Sequence, residues 1–234
     1  MKSFENQTFE RFYDRNSGKV FSDIEFRNCT FGSCAISMAR NPALRSTIRN
    51  VRLIGCEEVS CALHTAIVED VIVDGLKASG SAGGLFQTWG AVFKHVILKG
   101  KVRRVMFSPA VALGLATRDE QQAFDDANAA YYKSIDWAMD ISQGEFEECE
   151  IQSVPAHLIR RDPETQVVVT RAKAARGEWR KLDLSKTHWP ISLDFFLKRG
   201  DQDVVLVTPK CSKKFRDLLA GLKMLRDAGI AEPD

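Results

Sequence analysis

The chain has 234 residues, of which 44% are hydrophobic and 27% are charged, a composition typical of globular proteins and not of disordered or fibrous ones. Its net charge at neutral pH is only +2: residues 1–150 hold 17 basic and 20 acidic side chains, and residues 151–234 hold 16 and 11. Neither half has the strong positive charge of proteins that bind nucleic acid or an anionic membrane. We therefore expect neither of these partners.

The first residues of the sequence contain no apolar stretch of the length that a secretion signal needs. The longest apolar run, Val105–Thr117, is too short to span a bilayer, so we expect a cytoplasmic protein. The six cysteines form no Cys-x-x-Cys pair, and the four histidines are scattered along the chain. The sequence therefore predicts no disulfide framework, no zinc site and no cofactor.

A block of ten residues occurs four times in the first half of the chain. The blocks are Phe21–Thr30, Ile48–Glu57, Val68–Lys77 and Phe93–Val102, and their starts are 27, 20 and 25 residues apart. Positions one, four and six are apolar in every block, and position eight is Asn or Gly. Alternating apolar positions place side chains on one face of a strand, and Asn or Gly allows the chain to turn.

Stacking of these units explains the repeat. A unit of this length cannot bury its apolar side chains alone, whereas stacked units bury them against one another. The sequence therefore predicts a mainly β fold, a right-handed parallel β-helix. Two further segments match in part: Phe4–Phe9 mirrors Phe26–Phe31, and Phe146–Ile151 repeats the same spacing when aligned 48 residues after the fourth block.

Within the first blocks, apolar residues also recur every five positions. Phe21, Phe26, Phe31 and Ile36 form one series, and Ile24, Cys29 and Cys34 follow it with an offset of three. This pattern resembles the pentapeptide-repeat family, and the resemblance implies a four-sided β-solenoid with both series directed inward. It covers about Phe4–Ala35 and then only single pentads, so we expect an irregular solenoid. In that arrangement the cysteines are small apolar residues stacked between coils, not a metal or redox site.

The remaining elements predict an insertion and a C-terminal cap. Thr117–Ala130 is typical of a helix capped by Thr117, inserted near residues 110–133, and Ser134–Ser142 alternates like a strand. A boundary near Ser153–Arg161 divides a solenoid, residues 1–155, from a small α/β cap, residues 156–234. In the cap we expect strands at Val167–Val169 and Val204–Val207, and helices at Trp189–Lys198 and Ser212–Ala228, the last beginning at Ser212 and ending at Gly229.

Three acidic residues are candidates for catalysis on carbohydrate: Glu69, Asp70 and Asp74. Such enzymes need paired carboxylates on one exposed face, but neighbouring blocks place basic or neutral residues at the same positions. This favours a solvated wall of mixed charge, and it also disfavours the DNA mimicry by acidic rows that occurs among pentapeptide-repeat proteins. The glycine-rich stretch Gly80–Gly84 lacks the frame of a phosphate-binding loop.

We therefore expect a non-enzymatic protein of bacterial type whose solenoid wall binds another protein, as an inhibitor or immunity protein that neutralises a toxin domain. Small solenoids without catalytic residues often have this role. The alternatives are a β-helix enzyme acting on carbohydrate and a structural module of a larger assembly. Candidate contact residues are two aromatic side chains and two arginine pairs: Phe86, Trp89, Arg103, Arg104, Arg160 and Arg161.

Overall fold

The computed structural model of the chain describes residues 1–80, 83–111, 116–152 and 154–232. The fold is mainly β, with 14 strands in one large parallel sheet that is curled as a half-barrel. These strands are β1 (Lys2–Glu5), β2 (Thr8–Glu10), β3 (Val20–Arg27), β4 (Thr30–Gly32), β5 (Ala35–Ile36), β6 (Thr47–Val59), β7 (Ala62–His64), β8 (Ile67–Ser79), β9 (Leu85–Trp89), β10 (Val92–Lys94), β11 (Val96–Ser108), β12 (Met139–Asp140), β13 (Gly144–Ile151) and β14 (Ile159–Arg160).

Four helices and an antiparallel strand pair complete the described chain. The helices are α1 (Arg118–Tyr132), α2 (Arg171–Ala175), α3 (Trp189–Arg199) and α4 (Phe215–Asp227), and the pair consists of β15 (Gln166–Thr170) and β16 (Asp203–Val207). Short 3-10 turns lie at Pro42–Leu44, Ala156–Leu158 and Glu178–Lys181. None of the helices in the described ranges is long and apolar enough to cross a membrane.

The four sequence blocks are stacked in the predicted register, except that the fourth shifts after Lys99, where Val102 lies opposite Leu76. Phe21 lies opposite Ile48, Ile48 opposite Val68, and Val68 opposite Phe93, always in parallel pairing. The partial match at the start of the chain holds as well, since Phe4 lies opposite Phe26. We call each turn of chain that stacks in this way a coil. The parallel pairing expected of the repeated blocks is therefore confirmed.

Backbone conformation at two block positions explains why the repeat contains Asn, Asp and Gly. Every residue at position three and position eight has a positive φ between 51° and 75°, the left-handed region that these residue types tolerate best. The residues at position three are Asp23, Asn50, Asp70 and His95, and those at position eight are Asn28, Gly55, Gly75 and Gly100. Each of these residues marks a bend of the coil, so the same backbone conformation recurs at the same two positions of every block.

The last coil does not follow the register predicted for it. The predicted alignment places Phe146 opposite Leu98, but Phe146 lies opposite Val102, four residues further along β11. In this register Gly144 lies directly opposite Gly100, and a side chain at Gly144 would meet the Phe146 ring. The strand predicted at Ser134–Ser142 is also shorter, since only Met139–Asp140 pairs there.

Helix α1 begins where the sequence predicts. The Thr117 hydroxyl accepts a hydrogen bond from the Glu120 backbone N–H, and the Glu120 carboxylate accepts one from the Thr117 N–H. This capping box satisfies two backbone donors that the first helical turn leaves without partners. The predicted insertion near 110–133 includes residues 112–115, which lie outside the described residues.

The strand pair β15–β16 lies between two clusters of buried side chains. Val168, Val205 and Val207 pack into the core of the parallel sheet. The alternate side chains, including Val167 and Leu206, pack with α3 and α4 in a second cluster. Because successive strand residues point to opposite faces, this pair covers the last coil with one face and carries the helices on the other.

The predicted C-terminal strands and helices are confirmed, with one correction. Lys214 occupies the N-cap position of α4, and Ser212 lies two residues earlier, where its hydroxyl accepts a hydrogen bond from the Lys214 N–H. Gly229 ends the helix with a positive φ of 69°, as expected. The predicted division near Ser153–Arg161 stays a prediction. Parallel pairing continues to Arg160, and Ser153 lies outside the described residues.

Candidate functional site

The end of the stack formed by the first coil is open. Strand β1 pairs with β3 alone and β2 pairs with β4 alone, so within the described ranges each has one edge without a neighbouring strand. The start of β3 is equally uncovered: Lys2 lies opposite Ile24, so the first coil has no strand opposite Val20. We call this surface the open end.

Large apolar side chains are exposed at the open end. Phe12 is 46% exposed and Tyr13 is 57% exposed, and Tyr13 is tied to the second coil by a backbone bridge to Ala35. Met1 and Val20 are exposed as well. Such a group of exposed apolar residues beside a free strand edge is typical of an interaction surface. The sequence interpretation did not single out these residues, although two of them stand together in the segment Phe9–Tyr13.

An apolar channel of about 660 Å³ runs inside the stack from this end. Its walls are the inward side chains of successive coils, from Phe9 and Phe12 at the first coil to Val105 and Phe107 at β11. Exposure falls along the same direction: Phe12 is largely exposed, whereas Phe107 is buried. The channel is therefore most accessible to solvent at the open end.

The outer wall of the stack carries charges that are paired between coils. Arg49 bonds to Glu69, Lys99 to Asp74 and Arg104 to Glu148, with nitrogen–oxygen distances between 2.6 and 3.0 Å. Each pair joins neighbouring strands of the sheet. Exposed pairs of this kind contribute little to stability or binding, and they leave the wall without a strong field of one sign.

The three candidate catalytic acids do not form a pair of carboxylates. Glu69 bonds to Arg49 and accepts a hydrogen bond from the Tyr131 hydroxyl. Asp74 bonds to Lys99, and Asp70 contacts a ring nitrogen of His95 at 3.0 Å. Since each acid has its own basic or hydroxyl partner, this face gives no support to the acid–base chemistry of a glycosidase.

His95 stands at the centre of the most elaborate polar cluster on the wall. Its two ring nitrogens contact Asp70 and Asp136, the latter at 2.7 Å, and this contact lowers the pKa of Asp136. One side of Trp137 is covered by His95 and another by the Arg160 guanidinium, 4.0 Å from the ring centroid. Trp137 therefore already packs against two charged or polar side chains of the same chain.

The predicted contact residues are already engaged inside the molecule. Phe86 packs against the core of the sheet and lines the channel, and Trp89 is half-buried at the end of β9. Of the arginines, Arg103 and Arg104 bond to neighbouring glutamates, and Arg161 donates to the carbonyl of Ala156. The structure does not gather the six residues into one free surface, and their role in partner binding stays a prediction.

The cysteines of the first blocks lie stacked between coils, as the sequence predicts, and we call this row the cysteine ladder. The sulfurs of Cys29, Cys34, Cys56 and Cys61 each lie within hydrogen-bond distance of a phenylalanine carbonyl of the preceding coil and of a second carbonyl on their own coil. All six cysteines are free thiols. Among the described residues no group of three or more His, Cys, Asp or Glu side chains is placed to hold a metal ion.

A second, more polar cleft of about 850 Å³ lies between α1 and the start of the C-terminal region. Asn128, Lys133, His157 and Arg199 line it. These residues are far apart in sequence and share no motif, so the sequence gives no signal of the cleft. Comparisons with known proteins add nothing to either site. No family model, curated protein or solved structure matches the chain.

Proposed function

We propose that the curled parallel sheet is a right-handed β-helix, an irregular solenoid of the pentapeptide-like kind. The register of the four blocks, the left-handed residues at the bends and the cysteine ladder support this description. The pattern also has a physical reason, because a coil of about twenty residues buries its apolar positions only against its neighbours. An experimental structure tests the proposal by the hand of the coil, and a left-handed coil or an open sheet contradicts it.

We propose further that the chain is a non-enzymatic binding protein whose partner is another protein that docks on the open end. The observation that carries the proposal is the free edge of β1 and β2 beside exposed Phe12 and Tyr13. Unpaired N–H and C=O groups on an edge strand accept a further strand. Aromatic side chains at the centre of an interface supply much of its affinity.

The asymmetry of the two ends supports this location. The last coil is covered by β15 and β16 of the same chain, whereas nothing in the described ranges covers the first. The wall is a weaker candidate, because its charges are paired with one another and would lose those partners on binding. We therefore propose a partner that supplies an extended segment with alternating apolar side chains.

Inhibition of a toxin domain is the narrower form of this proposal. A rigid stack that receives an edge strand of a toxin would hold that strand away from its own fold or active site. The product of the adjacent gene is the first partner to test. Co-expression should restore the growth of cells that produce it. If co-expression restores growth with none of the neighbouring gene products, the inhibitor role is contradicted. Binding to another protein is tested separately by the substitutions below.

The matched substitutions Tyr13→Glu and Phe195→Glu test the docking surface. Both residues are aromatic and more than half exposed, but Phe195 lies on α3, away from the first coil. The full-length chain should capture one stoichiometric partner from the source cells, Phe195→Glu should retain it, and Tyr13→Glu should weaken the complex about 10- to 100-fold. Equal loss in both variants, or no partner, overturns the proposal.

A further inference from the structure

The apolar channel contains one polar group that the fold does not use. Thr88 lines the channel and is only 2% exposed. Its hydroxyl oxygen has no hydrogen-bond partner among the described residues. On the sheet, Thr88 lies between Leu63 and Phe107 in a row of otherwise apolar inward side chains. A buried hydroxyl without a partner destabilises the fold unless a ligand or water satisfies it.

The size of the channel also indicates a ligand. Well-packed cores contain few voids larger than a water molecule, and apolar cavities stay dry and accept apolar guests. A volume of about 660 Å³ lies within the range of small-molecule sites, which are lined mainly by apolar side chains with a few placed polar groups. The walls span five successive strands, roughly 19 Å at a spacing of about 4.8 Å between strands, so the guest is elongated.

The charge of the walls restricts the chemistry of that guest. No Lys, Arg or His from the described ranges lines the channel. The buried carboxyl group that lines the channel is that of Glu58, which is 4% exposed and accepts a hydrogen bond from the Cys61 N–H. Burial raises the pKa of Glu58. A ligand carboxylate would be buried there without a cation, which is costly.

We propose that the channel binds an uncharged long-chain alcohol, or a close chemical relative with one hydroxyl group on an aliphatic chain, and that the hydroxyl bonds to Thr88. Thr88 lies opposite Phe107 of β11, the lining strand farthest from the open end, so the hydroxyl enters first and the chain extends toward the open end. Thr88 both donates and accepts in this bond. The inference does not depend on the docking of a protein partner.

The test uses the full-length chain with the neutral dye N-phenyl-1-naphthylamine as fluorescent probe. Saturable 1:1 dye binding is expected, with displacement by 1-dodecanol and displacement by dodecanoate at least about tenfold weaker at pH 7. Thr88→Val keeps the side-chain shape and removes the hydroxyl. It should weaken 1-dodecanol binding about 2- to 10-fold and leave dye binding unchanged, and Thr88→Ser should restore the affinity for the alcohol.

Thr208→Val is the matched control. The Thr208 hydroxyl is also buried and has no partner in the described part of the chain, but it lies outside the channel, so its removal should leave alcohol binding unchanged. Thermal melts of each variant establish that it is folded. The inference is overturned if the wild type shows no saturable binding, if dodecanoate binds as well as dodecanol, or if both valine variants change the affinity equally. The Thr88→Val variant should still bind the protein partner normally. A failure of the ligand proposal can then be distinguished from a failure of the proposed function.

Discussion

Cysteines that lie on the inner ladder illustrate how a small side chain is fixed by the coil beneath it. Cys29 and Cys56 occupy the same block position, and each sulfur lies 3.5 Å from a carbonyl oxygen one coil earlier. Burial raises the pKa of Cys56, and it raises that of Cys61 to about 11. Since the thiolate is the reactive form, these groups are packing residues and not nucleophiles.

Thiol reactivity therefore distinguishes the ladder from the one exposed cysteine. Cys211 is exposed, and burial raises the pKa of Cys149 as well as those of Cys56 and Cys61. We expect one rapidly reacting thiol per native chain with Ellman's reagent and six after unfolding in guanidinium. The control is Cys211→Ser, which should leave none that reacts rapidly. A second fast thiol in the native protein contradicts the ladder.

Glu58 couples stability to pH through its burial. Burial is the main cause that raises its pKa above the ordinary value of 4.5, and Glu57 adds to the effect. The folded protein therefore holds this proton more tightly than the unfolded chain does. The contribution of this group to stability is full below pH 4.5 and declines as the pH rises toward the raised pKa.

Glu58→Gln removes that titration and keeps an oxygen for the Cys61 N–H. We expect the free energy of unfolding of the variant to fall less than that of the wild type between pH 4 and pH 7. Glu120→Gln is the control on α1: hydrogen bonds from Thr117 lower the pKa of Glu120, so this variant should shift the pH dependence in the opposite direction. Parallel profiles for wild type and Glu58→Gln, measured by urea unfolding, would show that Glu58 titrates normally.

At the scale of elements, helix α1 is attached to the stack by a buried guanidinium. Arg45 is 7% exposed, donates to the Asn128 amide oxygen and lies 4.7 Å from the centroid of the Phe124 ring. Its Nε has no partner among the described residues, and burial lowers its pKa to about 10. Burial of such a charge opposes folding unless hydrogen bonds satisfy it.

A double-mutant cycle measures this attachment. Asn128→Ala leaves the Arg45 guanidinium without its acceptor and should destabilise the protein by about 1–3 kcal/mol. Arg45→Met replaces a poorly paired charge with an apolar chain of similar length and should cost less than about 1 kcal/mol or stabilise. In the Arg45→Met background, Asn128→Ala should then cost less than it does alone. Simple additivity in urea unfolding contradicts the attachment.

The sequence predicts elements well where a local rule determines them. The stack register follows from turn residues at fixed block positions, and α1 begins at a capping box that is legible as Thr117 followed by Glu120. The last coil is different: the spacing of its phenylalanine predicts one register, and the strand pairs in another. The open end exists because no further strand pairs with the first coil, and the channel exists because the inward side chains leave space between them. The spacing of residue types along the sequence predicts neither of these properties.

At the scale of the whole molecule, the two ends of the stack differ in how many neighbours stabilise a coil. In a stacked fold, each unit is held by its own interactions and those with adjacent units. The coils at β6, β8 and β11 have a coil on both sides, and the last coil is covered by β15 and β16. Among the described coils, only the first has a single neighbour. Local stability should therefore decrease toward the open end.

Native-state hydrogen exchange with peptide-level mass spectrometry tests this gradient. Backbone amides of β1 and β2 should exchange by local opening, at least about tenfold faster than those of β8 and β11, whose exchange should approach the limit of global unfolding. Phe4→Ala removes a ring that stacks on Phe26 and should accelerate exchange of the first coil alone. Phe146→Ala, in the covered last coil, should lower protection along the whole sheet. Uniform protection from β1 to β11 would show that the open end is as stable as the covered one.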